Sequence, residues 1–231
     1  MKLHRFYVDD TELVEDLVIN DSRYTHQWTK VLRFRVGREL ALFNDQQIEF
    51  TYKITMIDKF GVRLQRLESV DPLVPKQEVY LCFSLLKKDK NDWVLQKATE
   101  LGISHFAPHI SNRTEKTGFN VERALKIVTE ASEQSGRADI PRIYEPMPLN
   151  ELIKTLQGTT TVFVAEQGAD SAESLIESIE GPLAVLIGPE GGWTDEEKQL
   201  FIANQVAYFS ISDYTLRAET AALAAATSFC R

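Results

Sequence analysis

Three short clusters in this chain carry residue types and spacings that chemistry can use. The first is Gly188-Pro189-Glu190-Gly191-Gly192. Its glycines allow turns closed to other residues and let a ligand approach the main chain. The cluster lacks the G-x-G-x-x-G pattern of a dinucleotide site and the Gly-Lys-Ser/Thr ending of a phosphate loop, so neither cofactor follows from it. Taken alone, it is equally a plain glycine-rich turn. The second cluster is Thr215-Leu-Arg-Ala-Glu-Thr220, with Arg217 at its centre. Arg217 is either a cation offered to a ligand or a salt-bridge partner of Glu219 or Glu190. The third is Glu130-Ala-Ser-Glu-Gln-Ser-Gly-Arg137, a helix end whose arginine lies just past the glycine. Read locally, that end is a C-cap with a cation answering the helix dipole. No metal-ligand spacing appears. The four histidines are scattered, and His105 and His109 fall on an expected strand rather than on one helix face. No Ser-His-Asp arrangement can be placed.

The elements that must position these clusters can be read from periodicity. Leu183 to Ile187 is an unbroken apolar run, the pattern of a buried parallel strand. After the glycines, Thr194 and Glu197 have the spacing of a capping box, and Leu200 and Phe201 begin a buried helix face. A strand therefore delivers the glycine loop to a helix start. In an open α/β sheet ligands bind outside the carboxyl ends of such strands. The second cluster stands at the next junction, between an expected strand over Val206–Ile211 and an alanine-rich helix over Ala218–Phe229. Two neighbouring junctions can form two walls of one pocket.

Upstream, strands are expected at Val79–Leu85, His105–Ile110 and Thr160–Ala165. Helices are expected at Asp89–Leu101 (Trp93, Val94, Ala98 and Leu101 inward, Gly102 as stop), Val121–Gln134 (Ala124, Leu125, Val128 and Ala131 inward) and Ser171–Ile179. Pro141–Pro148 reads as a connector. This alternation implies a parallel α/β sheet. The front of the chain has another rhythm. Arg5–Val8, Leu17–Ile19, Leu40–Phe43, Ile48–Ile57 and Val62–Leu67 read as short strands, with one helix over Thr25–Arg33 bearing Trp28, Val31 and Leu32. That pattern suggests a small barrel. The proline-bearing stretch Ser69–Lys76 marks the boundary, giving domains 1–72 and 73–231.

The chain has 231 residues, 43% of them hydrophobic, enough for a substantial core. No apolar run approaches the roughly 20 residues of a membrane span, and the first residues carry no signal-peptide pattern. Cys82 and Cys230 have no metal spacing, so a cytoplasmic protein with reduced thiols is expected. The net charge of -8 is unevenly spread. Residues 1–160 carry 23 Lys+Arg against 23 Asp+Glu, whereas residues 161–231 carry 3 against 11. If the chain binds RNA, the phosphate-binding face must lie in residues 1–160; the same composition equally describes an ordinary mixed-charge surface. Arg5, Arg33, Arg35, Arg113 and Arg137 are its candidates, each also readable as a plain surface cation.

Together these clusters resemble the ribosomal RNA small subunit (uracil N3) methyltransferase family, of the SPOUT class. The resemblance rests on Leu186-Ile-Gly-Pro-Glu-Gly-Gly192, Leu216-Arg-Ala-Glu-Thr-Ala-Ala-Leu223, Lys97-Ala-Thr-Glu-Leu-Gly102, Glu133-Gln-Ser-Gly-Arg137, Arg5-Phe-Tyr-Val8 and Lys30-Val-Leu-Arg33. These follow the family's order over nearly the whole chain. Ala218 departs from it, standing where related chains often carry Thr or Val. The resemblance implies a PUA-like, RNA-binding barrel followed by an α/β domain tied as a trefoil knot around its parallel sheet. It implies S-adenosylmethionine held by Leu186, Ile187, Gly188, Pro189, Glu190, Gly191, Gly192, Leu216 and Thr220. It also implies a homodimer, no metal, and as substrate one uridine of 16S ribosomal RNA in the assembled small subunit. Methylating a pyrimidine carbon usually needs a thiol that adds to the ring. Methylating a ring nitrogen does not, which suits a chain with no well-placed cysteine. Arg137 and Arg217 are then candidates to favour the uracil anion, and Glu190 to orient the loop or accept a hydrogen bond. The same enzyme class acting on tRNA or another rRNA site, and a non-catalytic ribosome-assembly factor, are the alternatives.

Overall fold

The computed structural model describes residues 3–9, 11–116, 118–169, 176 and 178–230. The chain divides into two compact units, Met1–Val74 with Ser132–Ile140, and Pro75–Ala131 with Pro141–Arg231.

The first unit is built on β1 (Arg5–Tyr7), β2 (Asp16–Ile19), β3 (Glu39–Phe43), β4 (Glu49–Asp58) and β5 (Gly61–Val70). They form one mixed sheet in the order β1-β3-β4-β5-β2, with β1 parallel to β3 and the other pairs antiparallel. Alternating residues such as Leu40, Leu42, Tyr52, Ile54 and Leu64 turn inward around fully buried Trp28. The single helix expected over Thr25–Arg33 is two pieces. Asp21 caps a short α1 (Ser22–His26), and a π-helical turn follows (Gln27–Val31), closed by Leu32 N–H donating to the Gln27 carbonyl. That wider turn accompanies the burial of Trp28, while Val31 is left exposed.

A segment distant in sequence completes this unit. Arg5 donates to both carboxylate oxygens of Glu49, at 2.8 and 2.6 Å. It also donates to the carbonyls of Ser132 and Arg137. Tyr7 N–H donates to Glu133, and Ala138 N–H to the Leu73 carbonyl. A contiguous division at residue 72 does not foresee this return of Ser132–Ile140 to the first unit.

The second unit holds six parallel strands: β6 (Val79–Phe83), β7 (His105–Phe106), β9 (Arg142–Ile143), β11 (Thr161–Ala165), β12 (Leu183–Ile187) and β13 (Ala207–Phe209). Their order is β13-β11-β12-β6-β7-β9. β8 (His109–Ile110) and β10 (Met147–Pro148) form a small parallel pair beside it. All five residues of β12 are buried because both sheet faces are covered. On one face Ala184 and Leu186, with Val164 and Cys82, meet α4 (Leu149–Leu156) and Phe201 of α5 (Asp195–Ala203). On the other, Phe163 and Phe209 pack edge-on against Phe229 of α6 (Ala218–Phe229). Helix α6 also packs along α2 (Lys88–Leu101). Burial pushes the Cys82 thiol pKa up, which makes it a core side chain rather than a nucleophile.

Several sequence expectations need correction. Helix α4 follows the Pro141–Pro148 connector in a stretch for which no element is expected above, although Leu149, Leu152, Ile153 and Leu156 have helical spacing. The strand over His105–Ile110 is interrupted at Ala107-Pro108, because proline offers no ladder N–H. In α2 the buried stripe is Asn91, Val94, Leu95, Ala98 and Thr99, which turns Trp93 and Leu101 outward. Leu125 of α3 (Val121–Ser135) is likewise exposed, beside the buried line Ala124, Val128 and Ala131. The helix expected over Ser171–Ile179 lies mostly outside the described residues. No helix among the described residues is long and apolar enough to cross a membrane.

Candidate functional site

A cavity of about 340 Å³ opens at the carboxyl ends of β11, β12 and β13. Its walls come from residues 165–167, 187–190, 192–193, 210–212 and 214–218, with Ala221 behind them. Strand β13 stops at Phe209, and the residues beyond it line the cavity instead of extending the sheet.

The glycine wall is braced from beneath. The last carbonyl of β12, Ile187, lies 3.2 Å from His109 Nε2. A carbonyl only accepts, so Nε2 carries the proton and Nδ1 is the bare nitrogen. Nδ1 is buried without a hydrogen-bond partner among the described residues. Burial pushes the imidazole pKa down to about 4, outweighing the Ile187 bond, so the ring is neutral. His109 stacks on Trp193, their ring centroids 5.6 Å apart, and Trp193 meets Phe201 edge-on. The Trp193 ring then covers Gly188 so closely that a Cβ there would lie 2.9 Å from its Cε2. Gly188 is glycine because the indole takes the space of a side chain.

The loop's exit is fixed as firmly. Gly192 takes a left-handed turn at φ 70°. The Thr194–Glu197 capping box forms, with Thr194 N–H donating to Glu197 at 2.8 Å and Glu197 N–H to Thr194 Oγ1 at 3.3 Å. The second oxygen of buried Glu197 accepts from Asn112 N–H at 2.8 Å. Arg113 donates to the Gly191 carbonyl at 2.7 Å and packs over the Gly191 α-carbon.

The opposite wall has fewer ties. Gln167 donates to the Asp213 carbonyl at 3.3 Å and accepts from Thr215 Oγ1 at 2.9 Å. Between them Tyr214 stands 81% exposed on the rim. Arg217 occupies the N-cap position of α6, and its side chain makes no capping bond.

Three charged side chains line the cavity: Glu166, Glu190 and Arg217. Glu166 pairs with Lys198 at 2.6 Å. Glu190 faces Lys90, 3.5 Å away. Arg217 makes no ion pair or side-chain hydrogen bond among the described residues. Lys90 also meets Glu219 at 3.1 Å, so one ammonium joins the glycine loop to the first turn of α6. Burial opposes ionisation of Glu219. Its own N–H, Lys90 and the nearby Arg217 charge outweigh that, and the carboxyl pKa is held below its usual range.

Of the residues singled out from sequence, Ile187, Gly188, Pro189, Glu190, Gly192, Leu216 and Arg217 come together around the cavity. Leu186 points instead into the core beneath α4. Gly191 contributes its carbonyl to Arg113 rather than lining the cavity, and Thr220 is exposed on α6 outside the lining. Arg137 is buried in the first unit and bidentate to Asp139, at 2.8 and 2.5 Å. Arg5 is closed by Glu49, and Arg113 is a loop brace. Those three are structural cations in this geometry, because each is already matched to an oxygen. Arg33 and Arg35 are exposed, without an ion pair among the described residues.

Sequence reasoning passed over Lys90, Trp193 and Gln167, and weighed His109 only as a metal ligand. Trp193 stands directly after the glycines and was legible as a ring that could lie across them. Lys90 gave no local signal, because its partners are 100 and 129 residues away. Among the described residues no group of His, Cys, Asp and Glu could hold a metal ion.

Comparison with known proteins places this geometry. A family profile described as "RNA methyltransferase domain" matches residues 74–229. A protein of Rickettsia conorii named ribosomal RNA small subunit methyltransferase E is 29% identical over 232 residues, covering 97% of this chain and 94% of the relative. One of the same name from Bacillus subtilis is 29% identical over 217 residues, covering 86% and 83%. Among solved structures, a ribosomal RNA small subunit methyltransferase E from Neisseria gonorrhoeae bound to S-adenosyl methionine has a TM-score of 0.86 at 26% identity, covering 98% of this chain and 96% of that one.

Proposed function

The chain belongs to the RNA methyltransferase family, and from that premise we propose that it transfers a methyl group from S-adenosylmethionine to N3 of one uridine in the 16S RNA of the assembled small ribosomal subunit. The observation that carries this reading is the cavity where three parallel strands end, walled by the glycine loop and by the Leu216-Arg217 junction. The residues present fit the cofactor. Gly188 offers an α-carbon surface backed by an indole, Glu190 and the loop backbone offer polar groups, and Ile187, Leu216, Ala218 and Ala221 supply apolar lining. When bound, the cofactor supplies an electrophilic methyl on a sulfonium, which needs an in-line nucleophile and a dry, shaped site.

Uracil N3 holds a proton at neutral pH and lies on the pairing edge, so the base must leave its stack to reach the cavity. Arg217 is the lining cation without a partner carboxylate. At the rim it favours the negative charge that develops as the N3 proton leaves. Glu190 orients the loop through Lys90. Arg137, buried on Asp139, holds its own turn.

The same reading takes the second unit as a trefoil knot, an exception to the usual absence of knots. Its support is the parallel order in which β12 lies between β11 and β6. It takes the first unit as a PUA-like, RNA-binding domain. Exposed Arg33 and Arg35 lie in the part of the chain that is not acidic, which supports phosphate contact there. The working form is a homodimer in the cytoplasm.

The test is methyl transfer from labelled S-adenosylmethionine to small subunits lacking the modification, with the product nucleoside identified by mass spectrometry. A single 3-methyluridine in 16S RNA is the expected result. Label in tRNA alone would keep the enzyme class and move the substrate. RNA binding with no label anywhere would turn the reading to an assembly factor.

A further inference from the structure

We propose that Lys90 is a positioning residue: by holding Glu190 and Glu219 it keeps the Arg217 guanidinium available to substrate. This inference rests on the functional reading above and goes beyond it, because Lys90 lies outside the cavity lining and belongs to none of the sequence clusters.

One carboxylate, Glu219, follows Arg217 in the first turn of α6, another, Glu190, lies on the glycine wall, and both are within reach of one ammonium. Lys90 Nζ lies 3.1 Å from Glu219 and 3.5 Å from Glu190. Glu219 is two residues beyond Arg217 and close enough to feel its charge. Glu190 lines the same cavity as Arg217. Arginine pairs with carboxylates through a planar fork, and such pairs are stronger than those of a point-charge ammonium. Arg217 would therefore be expected to close on Glu219 or Glu190. It closes on neither, and Lys90 meets both. The Lys90 and Glu219 side chains are 25% and 14% exposed, so solvent and salt screen this contact less than a fully open one.

Charge balance gives the same answer. Glu190, Glu219, Lys90 and Arg217 sum to zero. Without Lys90 the cluster is net negative, which opposes an approaching phosphate chain and the charge that develops on N3. The two remaining carboxylates would also compete for the one remaining cation. Loss of Lys90 should therefore damage the chemical step through Arg217, and removal of the competing carboxylate should repair it.

The test uses the full chain and the labelled subunit assay, with kcat and the KM for S-adenosylmethionine measured separately. Lys90→Gln is expected to lower kcat about tenfold or more while the KM stays within about twofold, the pattern of a lost transition-state interaction. Lys90→Arg keeps the charge and is expected to stay within about threefold of wild type. The decisive variant is Lys90→Gln with Glu219→Gln, expected to turn over at least about fivefold faster than Lys90→Gln alone, as coupled neighbours do. A general structural defect would not be repaired by a second change. Wild-type kcat in Lys90→Gln overturns the proposal, and so does a double variant as slow as the single one. Arg217→Ala as fast as wild type overturns it too, since there would be nothing to protect. A wild-type chain silent on the subunit would instead overturn the reaction on which the proposal rests.

Discussion

The two walls of the cavity are built by opposite means. The glycine wall is held from inside the protein. A neutral buried His109 bonds its first carbonyl, Trp193 lies under Gly188, and a capping box fixes its end. The opposite wall is held from outside, by two bonds from Gln167 and by Lys90 reaching Glu219. The first arrangement derives from core packing and cannot yield without disturbing the fold. The second rests on a few polar ties around an exposed tyrosine and can change at small cost to stability.

Breaking the inner brace should give the largest effect. Trp193→Ala removes a buried indole that touches His109, Phe201 and Gly188, and is expected to cost about 3–5 kcal/mol of unfolding free energy. Urea titration measures it, and a loss below about 1 kcal/mol would mean the wall is not core-built. Acid should be next. His109 stays neutral in the fold, with its pKa lowered to about 4, whereas the unfolded chain takes up a proton below its ordinary 6.5. The unfolded state then binds more protons, so stability falls as pH drops. From slightly alkaline pH down to pH 5 the loss is about 2 kcal/mol, most of it below pH 6.5. Unfolding curves across that window, repeated on His109→Gln, should show a flatter limb in the variant.

Gly188→Val tests the same wall from the cavity side. Its side chain must displace the indole, at a cost of about 1–3 kcal/mol. Methyl transfer should fall by at least about a hundredfold as the cofactor surface is misplaced, while RNA binding is retained. Equal activity would remove this loop from the cofactor site. Gln167→Ala should be mildest, at about 1 kcal/mol or less, because its bonds are exposed. Its signature is a raised KM for RNA with stability near wild type. A large fall in unfolding free energy would erase the distinction between the walls.

That distinction also decides what was legible in the sequence. The inner wall is local. Five apolar residues, three glycines and a Thr-x-x-Glu pair lie within fifteen consecutive positions, and each part forms as its own chemistry dictates. The α6 junction was legible for the same reason. Helix α4 had the apolar spacing of a helix, but the prolines before it obscured the start, and Pro148 proves to be the N-cap residue. The π-helical turn after α1 answers to the burial of Trp28, which periodicity does not carry. The cations misled for a physical reason. Whether an arginine is offered to phosphate or closed on a carboxylate depends on the folded partner, which for Arg137 is Asp139, two residues on, and for others lies far along the chain. For Arg5 that partner is 44 residues away.

The return of Ser132–Ile140 to the first unit bears on how this protein is made. The Arg5 guanidinium finds two of its acceptors, and the Tyr7 amide its partner, only in that returning segment. A ribosome adding roughly 5–20 residues per second takes several seconds to proceed from Val74 to Ile140. Through that interval the nascent first unit lacks its last segment. The first unit therefore completes itself only after the intervening Pro75–Ala131 segment of the second has been made, and biosynthesis, like the fold, treats it as a discontinuous domain.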